Sequence, residues 1–318
     1  YSLNGIQIQT SDRDEAIENT RQHLKNDKVT LFEATIKSND KLIAIDILDK
    51  QENTLNLIEV KSKGYSQSDA LKGFNEHIVD ITYQYLVLSE AYPEAQINAY
   101  LFVPNKDKRT RIEGLNGQFQ LKKEENVGDF RSFEVSFFGN KEEVVNDGLL
   151  TLVDVTNEVL MLLDDVRIDA SLLVNSLKSN TKINSILSKK CFSCEYNVED
   201  DQSGYKECWK DFVEPKYHIK DLYYAGSLGN NQVVNNMISE GKISLFDVKE
   251  ALLVKNRGIR QKIQLEHTKS NNEWFSPSLN SSLSSWQYPL HFIDFETCIT
   301  ALPFHKGMKP YEMSAFQW

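Results

Sequence analysis

The sequence predicts an α/β fold in which a mixed sheet is flanked by helices. Three apolar, strand-like segments follow one another at residues 29–36, 41–48 and 55–61, separated by short polar breaks. Strands joined so closely predict an antiparallel meander. An amphipathic helix at residues 11–26 precedes the meander, and a long helix at residues 68–91 follows it.

The long helix and the segments after it complete the predicted order of elements. The helix is expected to end before Pro93, because proline disfavours helical backbone in the residue that precedes it. Residues 97–103 then form a fourth strand. The elements expected further along are a strand at 130–138, a helix-rich stretch at 144–187, a cysteine-bearing loop at 191–208, short helices at 219–255, a Ser- and Asn-rich linker at 270–285 and an apolar strand at 290–295.

Composition favours a folded protein of the reducing cytoplasm. The chain has 318 residues, of which 40% are hydrophobic, enough for one large domain or two ordinary ones. No apolar stretch is long enough to cross a bilayer, and the first residues lack the pattern of a secretion signal. Four Cys residues in a chain of this size predict no disulfide framework.

The net charge of −10 is unfavourable for binding nucleic acid, because affinity for a phosphate backbone normally comes from Lys and Arg. Total charge does not exclude a local basic groove, however. The basic stretch at residues 106–111 could line such a groove, or it could be a solvated loop.

Two carboxylates and an ammonium group are expected to converge in the meander. Glu59 and Lys61 lie two positions apart on one strand, so their side chains project from the same face. If the hairpin pairs Leu48 with Leu55, Asp46 lies diagonally beside Glu59 on that face. A shift of one residue in this pairing would turn Asp46 away.

Such a cluster suits the hydrolysis of phosphodiesters. Mg²⁺ prefers carboxylates, water and phosphate oxygens, so its candidate ligands are Asp46, Glu59 and the carbonyl oxygen of Val60. The ion activates water and stabilises charge on the phosphate, while Lys61 orients that water or neutralises the developing negative charge. The alternative is that Glu59 and Lys61 are a same-face pair on a solvated strand.

This motif resembles a known class of nucleases. Asp46, followed by Glu59-x-Lys61 at the end of an apolar strand, is similar to the active-site motif of the PD-(D/E)XK nucleases of the RecB-like branch. The resemblance implies a restriction-endonuclease-like sheet and metal-dependent nuclease activity with Mg²⁺ or Mn²⁺. In that branch a Gln on the following helix borders the metal centre, which implies this role for Gln84.

Other polar residues near the motif are weaker candidates. His77 and Asp80 recur with Gln84 at helical intervals, and we expect them to be exposed or hydrogen-bonded structural residues. Glu33 lies on the neighbouring strand, where an extra acidic ligand and a structural role are both open. The first helix provides no secure equivalent of the His or Glu that many relatives carry there.

Three cysteines form a second candidate site. Cys191, Cys194 and Cys208 occupy a polar loop, with a spacing that suits a soft metal better than burial. RecB-like nucleases with an iron-sulfur cluster have a similar trio, which implies a 4Fe-4S cluster whose fourth ligand lies upstream of Tyr1. Zinc and free thiols are the alternatives.

Near the end of the chain, Asp294 and Glu296 follow the apolar strand at alternate positions, an arrangement suited to a divalent ion. They resemble the first motif of DEDD exonucleases, which have a ribonuclease-H-like fold. The whole chain resembles a bacterial family of unknown function that joins a RecB-like nuclease to such a domain. This resemblance implies a chain truncated at both ends, with an incomplete second centre that also needs acidic residues beyond Trp318.

The sequence therefore predicts a nuclease, with an exonuclease as the expected type, that acts on DNA rather than RNA in repair, recombination or defence. One alternative is an inactive module of the same fold that binds nucleic acid or scaffolds a complex. Another is a zinc- or cluster-stabilised protein unrelated to nucleic acid. The predicted domains are a nuclease core at 1–140, a helical cysteine region at 141–215, a connector and linker at 216–287, and the beginning of a DEDD-type domain at 288–318.

Overall fold

A computed structural model of the chain describes residues 5–10, 12–123, 133–199, 203–210, 212, 215–224 and 226–317. The chain divides into two compact units. The first comprises Tyr1–Thr181 together with Phe292–Trp318, and the second comprises Lys182–His291. The first unit therefore extends past residue 140, where the sequence predicted the nuclease core to end.

The first unit combines strands and helices. Its elements are β1 (Ile6–Gln7), α1 (Arg13–His23), β2 (Lys28–Ser38), β3 (Lys41–Gln51), β4 (Thr54–Val60), α2 (Asn75–Ala91), β5 (Gln96–Pro104), β6 (Phe119–Lys123), β7 (Phe133–Phe137), α3 (Lys141–Asp147), β8 (Leu150–Asp154), α4 (Thr156–Ser179), β9 (Glu296–Ile299) and β10 (Met313–Gln317).

Six strands form a mixed sheet in the order β1-β2-β3-β4-β5-β8. The predicted meander is confirmed, because β2, β3 and β4 pair antiparallel in succession. Strand β5 runs parallel to β4, and β8 closes the sheet antiparallel to β5. Helices flank this sheet, so the predicted mixed α/β architecture is confirmed at that level.

The pairing of β3 with β4 differs from the prediction by two residues. Leu48 lies opposite Leu57 rather than Leu55, because the two strands pair as far as Gln51 and Thr54 and the turn falls at residues 52–53. Side chains alternate with a period of two, so a shift of two leaves the paired residues 47–51 and 54–58 on the faces predicted for them.

Local signals explain where the two helices beside the sheet begin. Helix α1 is capped by Asp12, whose carboxylate accepts hydrogen bonds from the N–H groups of the first turn. Helix α2 begins at Asn75 and not at residue 68 as predicted. The left-handed backbone of Ala70 (φ 45°) and Gly73 (φ 77°) interrupts any earlier helix. Its end at Ala91 agrees with the stop predicted from Pro93.

The main apolar core of the first unit lies between the sheet and its helices. Helix α2 packs on α4 through a small cluster of Leu86, Val166 and Ala170. The main core joins side chains of β2 to β5 with those of α2 and the start of α4. Its fully buried members include Leu31, Ile45, Leu48, Leu57, Ile81 and Leu101.

Three strand predictions need correction or completion. Strand β8 was missed within the stretch predicted to be rich in helix, because its five residues are too short to stand out between two helices. The strand predicted at 290–295 is wrong: β9 begins at Glu296 and pairs with β10, while Phe292 and Ile293 are exposed outside it. The strand predicted at 130–138 corresponds to β7, and its first three residues lie outside the described part of the chain.

The second unit is helical where it is described, with α5 (Gly204–Trp209), α6 (Asn231–Ser239), α7 (Lys255–Ser270) and α8 (Leu279–Ser284). Its own core includes Ile219, Leu222, Val234 and Leu245. None of the described helices in the chain combines the length and apolar composition that spanning a bilayer requires.

Candidate active site

The candidate site lies where the β2–β3 hairpin is distorted. The ladder pairs Phe32 with Ile47 and Ala34 with Ile45, but omits the pair between them, Glu33 and Asp46. Glu33 has φ of 56°, in the left-handed region that a residue with a side chain seldom adopts. Such strain costs about 1–3 kcal/mol and is concentrated at functional sites.

The distortion changes which side chains face the core. On β2, buried Leu31 is followed by buried Ala34, so the two-residue alternation shifts by one across Glu33. On β3, the core residues Leu48 and Ile45 show the same shift across Asp46. Glu33 and Asp46 therefore both lie where the alternation of side chains between the two faces of the sheet is interrupted.

Asp46 and Glu59 are neighbours across two strands. The pairing of β3 with β4 ends at Ile47 and Ile58, so Asp46 and Glu59 are the next residue on each strand, and the charge of Asp46 acts on Glu59. A carboxylate oxygen of Asp46 accepts a hydrogen bond of 2.7 Å from the N–H of Val60. Asp46 is therefore fixed beside the end of β4, and its second oxygen makes none of the hydrogen bonds found among the described residues.

Glu59 is a buried carboxylate held by two donors. Its side chain is 8% exposed, its Oε1 lies 2.5 Å from Lys61 Nζ, and its Oε2 accepts a 2.7 Å hydrogen bond from Gln84 Nε2. Burial raises the pKa of Glu59 above its usual value, while the hydrogen bonds from Lys61 and Gln84 oppose this shift. The negative charge of Asp46 raises the pKa further.

Lys61 bridges the strand and helix α2. Its Nζ lies 2.5 Å from Glu59 Oε1 and 2.6 Å from Asp80 Oδ2. Burial opposes its charge, but the hydrogen bonds to Asp80 and Glu59 outweigh burial and raise the pKa of Lys61 to about 12. Lys61 therefore remains an ammonium at neutral pH and is suited to neutralising negative charge, not to accepting a proton.

Helix α2 contributes Asp80 and Gln84 to the site, and these two residues contact Lys61 and Glu59 at the end of β4. Gln84 is 6% exposed, and its Oε1 is buried without a hydrogen-bond partner among the described residues. Asp80 is exposed and hydrogen-bonded, as predicted, and its partner is Lys61. The i, i+4 spacing of Asp80 and Gln84 was the signal in the sequence, but the contact with Lys61 depends on how the helix packs on the sheet.

His77 and Glu33 lie at the edge of this group. Burial and the nearby cations Lys61 and Lys63 lower the pKa of His77, which favours its neutral form. Burial raises the pKa of Glu33, and the adjacent Asp46 carboxylate adds to the shift. Glu33, Asp46 and Glu59 thus lie on three successive strands, although Glu33 was not assigned a firm role from the sequence.

The donor set fits a hard divalent ion bound with several waters. Mg²⁺ is commonly held by one or two carboxylates plus waters and phosphate oxygens, and Asp46 and Glu59 are two neighbouring carboxylates. The unsatisfied Oε1 of Gln84 is an acceptor suited to a metal-bound water. A metal site made entirely of protein ligands is not found: the described residues contain no group of three or more His, Cys, Asp or Glu side chains arranged to hold a metal.

The basic stretch at 106–111 lies beside the end of β4 and is partly used within the protein. Arg111 pairs with buried Asp147, and Arg109 donates a 2.5 Å hydrogen bond to the carbonyl of Gly307. Lys106 and Lys108 remain exposed. The side chain of Lys106 covers Gly64, three residues after Lys61.

The cysteine trio is not gathered into a ligand set. Cys191 and Cys194 are half-buried thiols against the core of the second unit, and Cys208 is exposed on α5. The Sγ of Cys191 accepts a 3.4 Å hydrogen bond from the N–H of Ser188. An iron-sulfur or zinc site at these residues stays a prediction.

The carboxylates of Asp294 and Glu296 are both exposed, and only Glu296 belongs to strand β9. One oxygen of Asp294 accepts a hydrogen bond from the N–H of Phe295. A second metal centre at this pair also stays a prediction.

Comparisons of the chain with protein-family models, with curated proteins and with solved structures find no match.

Proposed function

We propose that this protein is a metal-dependent nuclease whose centre is Asp46, Glu59, Lys61 and Gln84. The observation that carries the proposal is the convergence of two neighbouring carboxylates, Asp46 and Glu59, with a lysine ammonium 2.5 Å from Glu59, beside a strained β-strand residue. A buried carboxylate with a raised pKa in such a cluster is typical of functional sites.

Each residue has a defined task in this proposal. Asp46, Glu59 and the carbonyl oxygen of Val60 would hold Mg²⁺ or Mn²⁺, which when bound polarises the phosphate and activates water. Lys61 carries a positive charge that offsets charge developing on the phosphate. Gln84 orients Glu59 through its Nε2 and has a free acceptor for an ordered water.

The proposal also covers the fold family, the substrate, the type of nuclease and two further features of the chain. The order α1-β2-β3-β4-α2-β5, with β5 parallel to β4, supports a restriction-endonuclease-like core. DNA is the proposed substrate, and an exonuclease is the proposed type. An iron-sulfur cluster at Cys191, Cys194 and Cys208 and a DEDD-type domain beginning near Asp294 rest on the resemblance of the sequence alone.

Cleavage of end-labelled single- and double-stranded DNA tests the proposal. With Mn²⁺ or Mg²⁺ we expect cleavage that falls about 10²-fold in Lys61→Ala, because the positive charge at the phosphate is lost. The matched control is Lys122→Ala, which removes an exposed lysine of β6 and should cleave like the wild type. Equal cleavage by Lys61→Ala, or binding of DNA with no cleavage in either metal, would contradict the proposal and favour a binding module.

Asp80 is expected to act through Lys61 as a positioning residue. Asp80→Asn keeps the size of the side chain but removes the charge that holds Nζ at 2.6 Å. We expect kcat to fall about tenfold with little change in KM, because Lys61 is misplaced while most substrate contacts remain. Steady-state cleavage by Asp80→Asn and Asp80→Glu measures this. A change in KM alone, or no rescue by Glu, would argue against the positioning role.

A further inference from the structure

The second unit carries a basic, aromatic surface that the proposed centre does not use. Tyr223 and Tyr224 are adjacent and exposed, by 39% and 61%. Each ring faces a guanidinium group: Arg257 Cζ lies 3.9 Å from the centroid of Tyr224, and Arg260 Cζ lies 5.4 Å from that of Tyr223. These four residues, together with Lys255, are called the Tyr-Arg surface below.

The charge of this surface contrasts with that of the whole chain. Helix α7 contains five Lys or Arg residues and a single Glu, whereas the chain has a net charge of −10. Lys262 on this helix pairs with Glu250 at 2.9 Å. Within the described residues, Lys255, Arg257 and Arg260 form no ion pair with a carboxylate. Their charges are therefore available to an external anion.

The backbone that carries Tyr223 is held by hydrogen bonds with helix α7. Buried Gln261 donates hydrogen bonds of 2.9 and 3.0 Å to the carbonyl groups of Tyr223 and Ser227. Gln264 accepts from the N–H of Tyr223 at 2.6 Å and donates to the carbonyl of Asp221 at 2.8 Å. A surface that needs no ordering on binding loses less entropy when its ligand binds.

A cavity of about 410 Å³ adjoins these residues and is lined by Lys255, Arg257 and Gln261. The backbone is strained at two residues of the Tyr-Arg surface, since Tyr224 has φ of 71° and Lys255 has φ of 62°. A bulky aromatic residue in the left-handed region is an outlier that surrounding structure must hold in place. The Tyr224 ring is exposed and lies against Arg257.

We propose that the Tyr-Arg surface binds single-stranded nucleic acid. Lys and Arg side chains without a carboxylate partner attract the phosphates of the nucleic acid. Exposed aromatic rings offer faces on which the bases of a single strand can stack. A duplex keeps its bases stacked and offers none to the tyrosines, so single strands are the preferred ligand. The inference is independent of the proposed nuclease activity, because binding requires neither the metal centre nor cleavage.

Binding of a fluorescently labelled oligothymidylate to the full chain, in EDTA, tests this inference by anisotropy. We expect Arg257→Gln/Arg260→Gln to weaken binding about tenfold or more and to reduce the slope of log K against log salt by about 1.4, the loss of two single-strand phosphate contacts. The matched control, Lys249→Gln/Lys269→Gln, removes two exposed lysines of the same unit outside the surface and should retain more affinity. Equal affinities for the wild type and the arginine variant overturn the inference.

A second pair of variants separates base stacking from simple attraction of anions. Tyr224→Phe keeps the ring and should bind like the wild type, whereas Tyr224→Ala should bind about tenfold more weakly. Inorganic polyphosphate and phosphatidylserine vesicles serve as anions without bases. Equal or tighter binding of either, or of duplex DNA, overturns the inference. The assay is run in EDTA, so its outcome does not depend on metal-dependent cleavage, and failure of the nuclease proposal would leave the binding result unchanged.

Discussion

Glu59→Gln is expected to lower metal-dependent cleavage by about 10³-fold, the largest loss among the substitutions considered. The change keeps the shape of a buried side chain and its contact with Gln84, but it removes a charged oxygen from the proposed ligand set. Glutamine is a poor ligand for Mg²⁺ relative to a carboxylate. The variant would therefore lose the proposed ion and, with it, the water that the ion would activate.

The same substitution should leave the fold as stable as before, or more so, at neutral pH. The pKa of Glu59 is raised from 4.5 in the folded protein, mainly by burial. The folded state therefore binds the proton more tightly than the unfolded state, and the stability from this group falls as pH rises from 4.5 through the folded pKa. Glutamine is neutral at every pH, so the variant should lack this fall.

Two measurements together check this expectation. Mg²⁺ should raise the Tm of the wild type, because an ion that binds only the folded state stabilises it, and should not raise the Tm of Glu59→Gln. Glu94→Gln is the matched control, since Glu94 is an exposed carboxylate in the same unit. A variant that cleaves DNA normally, or that unfolds at a much lower Tm without metal, would show that Glu59 is a structural residue.

Local patterns in the sequence were enough to predict the meander, its flanking helices and the shared face of Glu59 and Lys61. These features depend on alternation within one strand and on short turns, which a sequence displays directly. The exact pairing of Leu48 was wrong by two residues, because the two-residue turn between Gln51 and Thr54 lacks a distinctive turn signal. This error did not change the predicted faces of the paired side chains, because side chains on a strand alternate between the two faces with a period of two residues.

Features that depend on packing between distant segments were not predictable in the same way. The contact of Lys61 with Asp80 requires α2 to lie at a particular height over β4, and nothing in either segment specifies that height. The left-handed backbone of Glu33 is similar, because glutamate has no intrinsic preference for it and the surrounding sheet imposes it. Both features bear on the proposed site, where local rules are often broken.

Leu57→Ala is expected to destabilise the first unit by about 2–5 kcal/mol. Leu57 is fully buried on the central strand β4, between Leu48 of β3 and Ala99 of β5. Truncation removes apolar contacts and leaves a cavity that a sheet paired on both sides cannot close. Glu59 lies two residues further along the same strand. The loss of stability therefore affects β4, the strand that carries Glu59 of the proposed centre.

Amide hydrogen exchange of residues 54–60 measures this effect better than a single melting curve, because a chain of two units need not unfold in one step. Leu121→Ala is the control, since Leu121 is 67% exposed on β6 and its truncation should change stability by less than about 0.5 kcal/mol. Protection of β4 that is unchanged in Leu57→Ala would mean that this strand does not depend on the core described above. In that event the buried position of Glu59, and the raised pKa that follows from it, would need another explanation.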